Sequence, residues 1–170
     1  MRKLPLLFTT LLLTAAITGC SSTSQKSNTT NTPDASATED PVVANAVQEV
    51  EDASKVKEVI GKDISVPAKD SSYAIIAQSI GEVTFTRDKV SYNFRASKDL
   101  VGDAMAGIES AMNEKTSEET IDDMKVTLGS FEDGTLIAFW TADKLNYTLT
   151  CKDADEAALK DTVSYVMNPS

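Results

Sequence analysis

The sequence predicts an α+β domain in which an antiparallel sheet of about six strands packs against N- and C-terminal amphipathic helices. Three observations support this fold class. Apolar residues recur at spacings of three and four within residues 43–60 and again within residues 153–168, which is the period of a helix with one buried face. Between these segments apolar and polar residues alternate, as they do in strands that bury one face. Short polar turns separate the alternating runs, and such short connections require antiparallel neighbours.

The first helix is predicted to end at Gly61, because glycine readily adopts the left-handed conformation that closes many helices. After it, residues 63–70 are expected to form a short extended piece that Pro67 ends. The apolar stripe that identifies this helix consists of Val43, Val47, Val50, Ala53, Val56, Val59 and Ile60.

Two groups of strands are predicted from the alternation. In the first group, a polar turn at residues 86–89 joins a strand that ends near Phe85 to a strand that begins at Val90. The second group spans residues 123–152 and has turn residues at Asp133–Gly134 and again at 142–144. The residues expected on the buried face of its last strand are Leu145, Tyr147, Leu149 and Cys151.

The remaining segments are predicted to be a loop and a helix. Residues 98–120 contain two glycines and several alanines, and we expect a loop with one or two helical turns. The final helix begins in an acidic stretch, where Asp153 or Asp155 would cap it, and Pro169 follows its end. Its apolar stripe consists of Leu159, Val163, Val166 and Met167.

Residues 1–19 are predicted to be a lipoprotein signal peptide. Arg2 and Lys3 give it a positive start, and no charged residue follows up to Gly19. As a helix, the uncharged residues 4–19 would extend about 24 Å, which is less than the hydrocarbon core of about 30 Å. A cleaved secretory signal therefore fits this segment better than a permanent membrane span.

The end of this segment, Ile17-Thr18-Gly19-Cys20, resembles the lipobox of bacterial lipoproteins. The resemblance implies cleavage between Gly19 and Cys20 and attachment of diacylglycerol to the Cys20 thiol. Two acyl chains anchor a protein stably, whereas one chain gives only marginal binding. The expected location is the outer face of the bacterial cytoplasmic membrane, with the membrane as a partner through Cys20. An ordinary signal peptide with a chance cysteine is the alternative.

The mature chain is predicted to consist of a tether and a domain. Residues 20–40 join the lipid-bearing cysteine to a Ser-, Thr- and Asn-rich stretch, which buries too little apolar surface to offset the entropy lost on ordering. Residues 41–170 are expected to form the globular domain. Removal of Arg2 and Lys3 with the signal changes the net charge from −10 to −12. This acidity argues against nucleic acid as a partner, since nucleic acid favours clustered Lys and Arg.

The order of several pieces resembles a family of extracytoplasmic domains of unknown function that are frequent in Gram-positive bacteria. The pieces are "YNFRASKDLVGD" at residues 92–103, "VTLGSFEDGTLIAFWTADKLNYTL" at residues 126–149, and the acidic terminal helix. Members occur as lipoproteins and behind membrane anchors in regulatory proteins. Where the family carries an aromatic residue shortly after the Gly102–Asp103 pair, this chain has "AMAG". The resemblance implies a fold and carries no established activity.

The chain contains no histidine, which excludes Ser-His and Cys-His nucleophilic pairs and histidine-liganded metals. Ser54–Lys57 matches a Ser-x-x-Lys element, but the other elements of penicillin-binding hydrolases are absent. The sequence around Ser79, AQSIG, partly matches the Gly-x-Ser-x-Gly motif of a nucleophile elbow but lacks its first glycine. Cys151 is expected to be a buried small hydrophobe. We therefore predict that the protein is not an enzyme and that it uses no cofactor and no metal.

Arg95, Asp103 and Trp140 are the candidate ligand-binding residues. Arg95 alternates onto the outward side of its strand, where it would either bind an anion near Asp103 or form a surface ion pair. Trp140 is the only tryptophan and follows a run that is apolar on both faces, which favours core packing over ligand stacking.

The leading functional hypothesis is a lipid-anchored module that binds a protein, a peptide or a cell-wall component. A small-molecule or lipid carrier is one alternative, and it would require an apolar cavity between the sheet and the helices. A cell-wall hydrolase is another alternative, and it would require two carboxylates about 5–10 Å apart in a cleft.

Overall fold

A computed structural model describes residues 46–169, which form one antiparallel sheet with helices packed on it. The predicted α+β class with an antiparallel sheet is confirmed. The described residues form eight strands rather than about six, together with three helices. In chain order the elements are β1 (Val47–Val50), α1 (Ala53–Ile60), β2 (Ser72–Ile76), β3 (Ile80–Arg87), β4 (Val90–Ser97), α2 (Asp103–Ala106), β5 (Ser117–Ile121), β6 (Met124–Ser130), β7 (Leu136–Ala142), β8 (Leu145–Cys151) and α3 (Glu156–Met167).

The sheet is built from two four-stranded meanders that meet at its centre. Its strand order is β1-β2-β3-β4-β8-β7-β6-β5, and every neighbouring pair is antiparallel. The two meanders are joined by the pairing of β4 with β8, in which Phe94 lies opposite Leu149. The last strand of each half therefore lies at the centre of the sheet, and β1 and β5 form its edges.

The first strand occupies part of the predicted N-terminal helix. Val47–Val50 pairs with β2, and the helix begins only at Ala53. Asp52 caps it, because the Asp52 side chain accepts a hydrogen bond from the Ser54 N–H. The spacing of three between Val47 and Val50 is that of a helix, but β-branched valine also favours strands, and pairing with β2 decides for the strand. The helix prediction is therefore wrong for residues 46–52 and right for Ala53–Ile60, including its end at Gly61 in the left-handed conformation.

The second unpredicted strand lies inside the segment that was expected to be a loop. Residues 98–120 do contain a short helix, α2, but they continue into β5 (Ser117–Ile121), which pairs only with β6. The sequence of β5, "SEETI", has no apolar alternation, because this edge strand buries neither face fully. A strand of this kind leaves no period-two pattern in the sequence.

The predicted hairpins β3–β4 and β7–β8 are confirmed. Their turns are Asp88–Lys89 and Asp143–Lys144, and all four residues have positive φ angles between 51° and 70°. Two central residues with positive φ define the type I′ turn, whose twist matches that of the flanking strands. The turns fix the register, so that Phe94 on β4 lies opposite Val83 on β3.

The two faces of the sheet differ in composition and in what covers them. We call the side that α1 and α3 cover the helical face, and its buried residues form the main core. We call the other side, which includes Glu82, Arg95, Phe139 and Thr148, the opposite face; α2 packs there against β4 and β8. The strand residues of the main core include Val83, Phe85, Tyr92, Phe94, Ala96, Val126, Leu128, Ala138, Trp140, Tyr147, Leu149 and Cys151.

The helices hold their places on the helical face through specific side chains. A Cβ atom at Gly81 would overlap the Val56 side chain, so glycine at this position allows α1 to approach β3 closely. At the start of α3, the Asp155 carboxylate accepts a hydrogen bond from the Ala158 N–H at 2.8 Å, which confirms Asp155 as the cap. The buried residues of α3 are Leu159, Thr162, Val163 and Val166.

Several predictions fall on residues that the structure does not describe. The signal peptide, the Gly19–Cys20 cleavage point, lipidation of Cys20, the tether and the contribution of Val43 to the first helix all lie outside residues 46–169. Among the residues that are described, no helix is long and apolar enough to cross a membrane.

Candidate functional site

A cleft opens on the helical face between the segment that follows α1 and the C-terminal end of α3. Its volume is about 300 Å³. It lies where a gap separates the two long helices, because α1 packs against β2 and β3 whereas α3 packs against β7 and β8. The β5–β6 and β7–β8 turns border its open end, and its apolar walls include Ile64, Met124, Ala142, Val166 and Met167.

Three aromatic rings form the floor of the cleft. Phe94, Tyr147 and Trp140 lie on the adjacent strands β4, β8 and β7. Their ring centroids are 5.4–6.0 Å apart and their planes differ by only 12–14°. Each ring is at least nine-tenths buried, and Trp140 retains 6% exposure. The cluster therefore belongs to the core and leaves only a small part of its ring surface open to the cleft.

An ion pair crosses the mouth of the cleft. The Lys62 ammonium lies 2.5 Å from a carboxylate oxygen of Asp143, and these residues belong to the segment after α1 and to the β7–β8 turn. The same ammonium lies 6.0 Å from the centroid of the Tyr147 ring, within reach of a cation–π interaction. On the far side, the Asp122 carboxylate accepts a hydrogen bond from the Asn168 side chain at 2.9 Å and another from the Ser164 hydroxyl.

The electrostatics of the mouth follow from these contacts. The hydrogen bond to Asp143 raises the pKa of Lys62, and the same contact lowers the pKa of Asp143. Burial raises the pKa of the Tyr147 phenol, and the neighbouring Lys62 charge partly opposes that rise. Lys62 and Asp143 are therefore charged, and Tyr147 is neutral, across the physiological range of pH.

The chemistry of the cleft suits binding through apolar contact and charge. The carboxylates of Asp63, Asp122 and Asp143 lie on its rim, and each accepts at least one hydrogen bond from a neighbouring group. Within residues 46–169, no group of three or more His, Cys, Asp or Glu residues is placed to hold a metal ion. Clefts with aromatic walls and a few fixed polar groups are typical ligand sites.

Arg95 lies on the opposite face in a mostly buried ion pair. Its Nε donates to the Glu82 carboxylate at 2.6 Å, and the two side chains are 15% and 14% exposed. Its Nη1 donates to the carbonyl oxygens of Met105 and Ala106 at 2.9 and 2.6 Å. Gly107 makes this possible, because a Cβ atom there would overlap the guanidinium. Arg95 thus fixes the end of α2 to the sheet.

The structure does not bring the predicted site residues together. Arg95 pairs with Glu82 rather than with Asp103, which lies exposed at the other end of α2. Trp140 points to the helical face, whereas Arg95 points to the opposite face. Cys151 is buried on the helical face, where burial raises the pKa of its thiol to about 11, so it stays protonated near neutral pH.

Sequence reasoning missed Lys62, Asp143 and Glu82. The Glu82–Arg95 pair could have been found, because the register set by a two-residue turn at Asp88–Lys89 places these residues opposite each other. No local pattern could have found the contact between Lys62 and Asp143, which are 81 positions apart. That contact depends on how the irregular segment after α1 packs against a distant turn.

Comparison of the chain with protein-family models, with curated proteins and with solved structures gives no match.

Proposed function

We propose that this chain is a lipid-anchored extracytoplasmic bacterial protein whose α+β domain binds a ligand in the cleft of the helical face. The ligand class is a peptide, a protein segment or a cell-wall component. The observation that carries the proposal is the cleft itself: an aromatic floor, apolar walls and a charged mouth in one depression of about 300 Å³. The lipobox-like end of the N-terminal segment supports anchoring through Cys20.

Binding fits this cleft better than the alternative functions do. The volume of the cleft lies at the lower end of the range of about 300–1,000 Å³ for small-molecule pockets. A lipid carrier would need a larger cavity, because it must enclose long acyl chains. A carboxylate-based hydrolase needs one carboxyl group with a raised pKa to act as a general acid. Hydrogen bonding instead lowers the pKa values of Asp63 and Asp143 at the rim, through Ser65 and Lys62 respectively.

The binding proposal is tested by filling the cleft. Ala142 lines it, whereas the preceding Thr141 points to the opposite face. We expect Ala142→Phe to abolish ligand-induced changes in Trp140 fluorescence, and Thr141→Phe to retain them. The assay uses the mature chain with Cys20→Ser, titrated with a library of blocked tripeptides and with soluble cell-wall fragments. Circular dichroism melts check that both variants fold. Ligand binding that survives Ala142→Phe would place the site elsewhere.

The anchoring proposal is tested separately. Cells that express the parent chain or Cys20→Ala are labelled with an alkyne palmitate, and the label on the protein is compared. We expect the label to be lost with Cys20 and the protein to leave the membrane fraction or to remain uncleaved. Equal labelling of the two chains would refute lipidation at this residue.

A further inference from the structure

Lys62 places the chain's own ammonium group at the mouth of the cleft. It is the first residue after Gly61, which ends α1, so the helix fixes the point from which its side chain starts. The ammonium lies between the Asp143 carboxylate, at 2.5 Å, and the Tyr147 ring, whose centroid is 6.0 Å away. The protein therefore contains a position with an anionic group on one side and an aromatic ring on the other, and a cation already occupies it.

The charges around the cleft favour cations. Three rim carboxylates, Asp63, Asp122 and Asp143, outnumber the single positive lining residue, Lys62. The faces of aromatic rings are also electronegative and attract ammonium and guanidinium groups. The chain as a whole carries a net charge of −10. These negative charges would repel an approaching anion and would attract a cation toward the mouth of the cleft.

The Lys62–Asp143 pair is exposed enough to be exchanged. Its two side chains are 44% and 71% exposed, and ion pairs of this kind contribute little free energy, since water solvates the separated charges well. Lys62 would then turn into solvent at small cost. A ligand that brings its own cation and also contacts the apolar walls gains contacts that Lys62 does not make.

We propose that the ligand of this cleft is a peptide with a lysine or arginine side chain, whose cation takes the position of the Lys62 ammonium between Asp143 and Tyr147. This inference rests on the proposed binding function and specifies its ligand class. Lys62 acts as an internal competitor that occupies the position until the ligand displaces it. Removal of Lys62 should therefore increase the affinity for cations rather than abolish binding.

Chemical complementation tests this inference directly. Lys62→Ala leaves the position empty, and n-butylammonium carries the four-carbon stem and ammonium of a whole lysine side chain, one carbon more than the part that alanine lacks. Trp140 is the only tryptophan and lines the cleft, so its fluorescence reports binding there. In the mature chain with Cys20→Ser, we expect n-butylammonium to bind Lys62→Ala about three- to fivefold more tightly than it binds the parent, which is the gain expected when an exposed ion-pair competitor is removed. We expect the neutral n-butanol to show no such difference.

Matched variants define the partners of the cation. Asp143→Asn added to Lys62→Ala should weaken n-butylammonium binding about three- to fivefold, as the loss of an exposed ion pair does. Lys152→Ala serves as the control, because Lys152 is also an exposed lysine paired with an aspartate, Asp133, but it does not line the cleft. This control should bind n-butylammonium no better than the parent does. Thermal melts should show that all variants fold.

Peptide titrations separate this inference from the proposed function. We expect acetyl-Ala-Lys-Ala-amide to bind the parent, to bind Lys62→Ala more tightly, and to outcompete the matching norleucine and glutamate peptides. Preference for the norleucine or glutamate peptide, lost in Ala142→Phe, would overturn the cationic ligand and leave the binding cleft standing. Binding of glucosamine oligomers without binding of the lysine peptide would also overturn it. Failure of every probe to bind the parent or Lys62→Ala would overturn both proposals.

Discussion

The two faces of the sheet bury side chains of different chemistry. On the helical face, rings such as Phe94 and Trp140 pack against one another and against helices. On the opposite face, the short helix α2 covers an ion pair between Glu82 and Arg95 and the fully buried Thr148, next to a smaller apolar cluster. One face is stabilised by filling volume, whereas the other also buries charged and polar groups: Glu82 and Arg95 pair with each other, and the Thr148 hydroxyl has no partner among the described residues.

The two faces also differ in whether a ligand can bind to them. On the helical face, the gap between α1 and α3 forms the cleft, and the aromatic cluster is its floor. On the opposite face, Arg95 carries the charge expected of a ligand-binding residue, but Glu82 and the carbonyl groups of α2 occupy its donors. A charged residue on an outward-pointing position is therefore weaker evidence for a site than an unfilled gap between two helices.

The largest expected effect compares two neighbouring residues of β7 that point to opposite faces. Trp140→Ala should lower the free energy of unfolding by about 3–5 kcal/mol, because it leaves a cavity among stacked rings. Phe139→Ala should cost about 2 kcal/mol or less, since Phe139 is only partly buried. Urea unfolding followed by circular dichroism measures both. Equal losses in the free energy of unfolding would show that the two faces contribute equally to stability, which would contradict the difference drawn between them.

The next effect concerns the ion pair on the opposite face. Arg95→Met leaves the Glu82 carboxylate largely buried without its partner, and we expect a loss of about 2–4 kcal/mol. The double variant with Glu82→Met should recover at least half of that loss, because no unpaired charge remains. Asp161→Asn is the control: it breaks the more exposed pair with Arg87, and it should cost about 1 kcal/mol or less. Additive losses in the double variant would contradict this account.

Sequence patterns predicted the parts of the fold in which the two faces differ most. The central strands alternate clearly, so β3, β4, β7 and β8 and their hairpins were predicted correctly, as was α3 with its Asp155 cap. The edge strands were missed for a physical reason. In β5 neither face is fully buried, and in β1 the spacing of three between Val47 and Val50 fits a helix, although pairing with β2 makes this segment a strand.

The candidate site was less predictable, because it is made by long-range packing. Alternation placed Tyr147 on the buried face, and the structure confirms this placement. The cleft above it depends on how the irregular segment with Lys62 packs against the distant β7–β8 turn, and this packing has no local signature. The sequence therefore predicted the floor of the cleft and missed its mouth.

The third prediction compares two buried threonines with different hydrogen bonding. Thr148 on the opposite face is fully buried, and its hydroxyl has no hydrogen-bond partner among the described residues. Thr162 on α3 donates to the Ala158 carbonyl and accepts from Arg87. We expect Thr148→Val to raise the free energy of unfolding by about 1 kcal/mol and Thr162→Val to lower it by about 1 kcal/mol. Thermal or urea melts of the two variants give the signs.

A stabilised Thr148→Val would confirm that the opposite face tolerates an unsatisfied polar group under α2. A destabilised Thr148→Val would indicate that an ordered water fills the missing hydrogen bond. In that case the two faces would be equally well satisfied, and the comparison between them would rest on packing alone.

The smallest expected effect compares the turn at the cleft with a turn remote from it. Lys144 follows Asp143 in the turn that borders the cleft, and Lys89 holds the same position in the β3–β4 turn; their φ angles are 67° and 70°. Glycine adopts this conformation without the strain that a Cβ atom causes, so each lysine-to-glycine change should raise stability by about 0.5 kcal/mol. Thr86→Gly, on an exposed strand position, should instead lower it by about 1 kcal/mol. Equal gains in urea melts would show that the hairpin alone sets the geometry of the cleft turn. A smaller gain for Lys144→Gly would show that the Lys62–Asp143 contact also holds the turn, and that the mouth of the cleft depends on its ion pair.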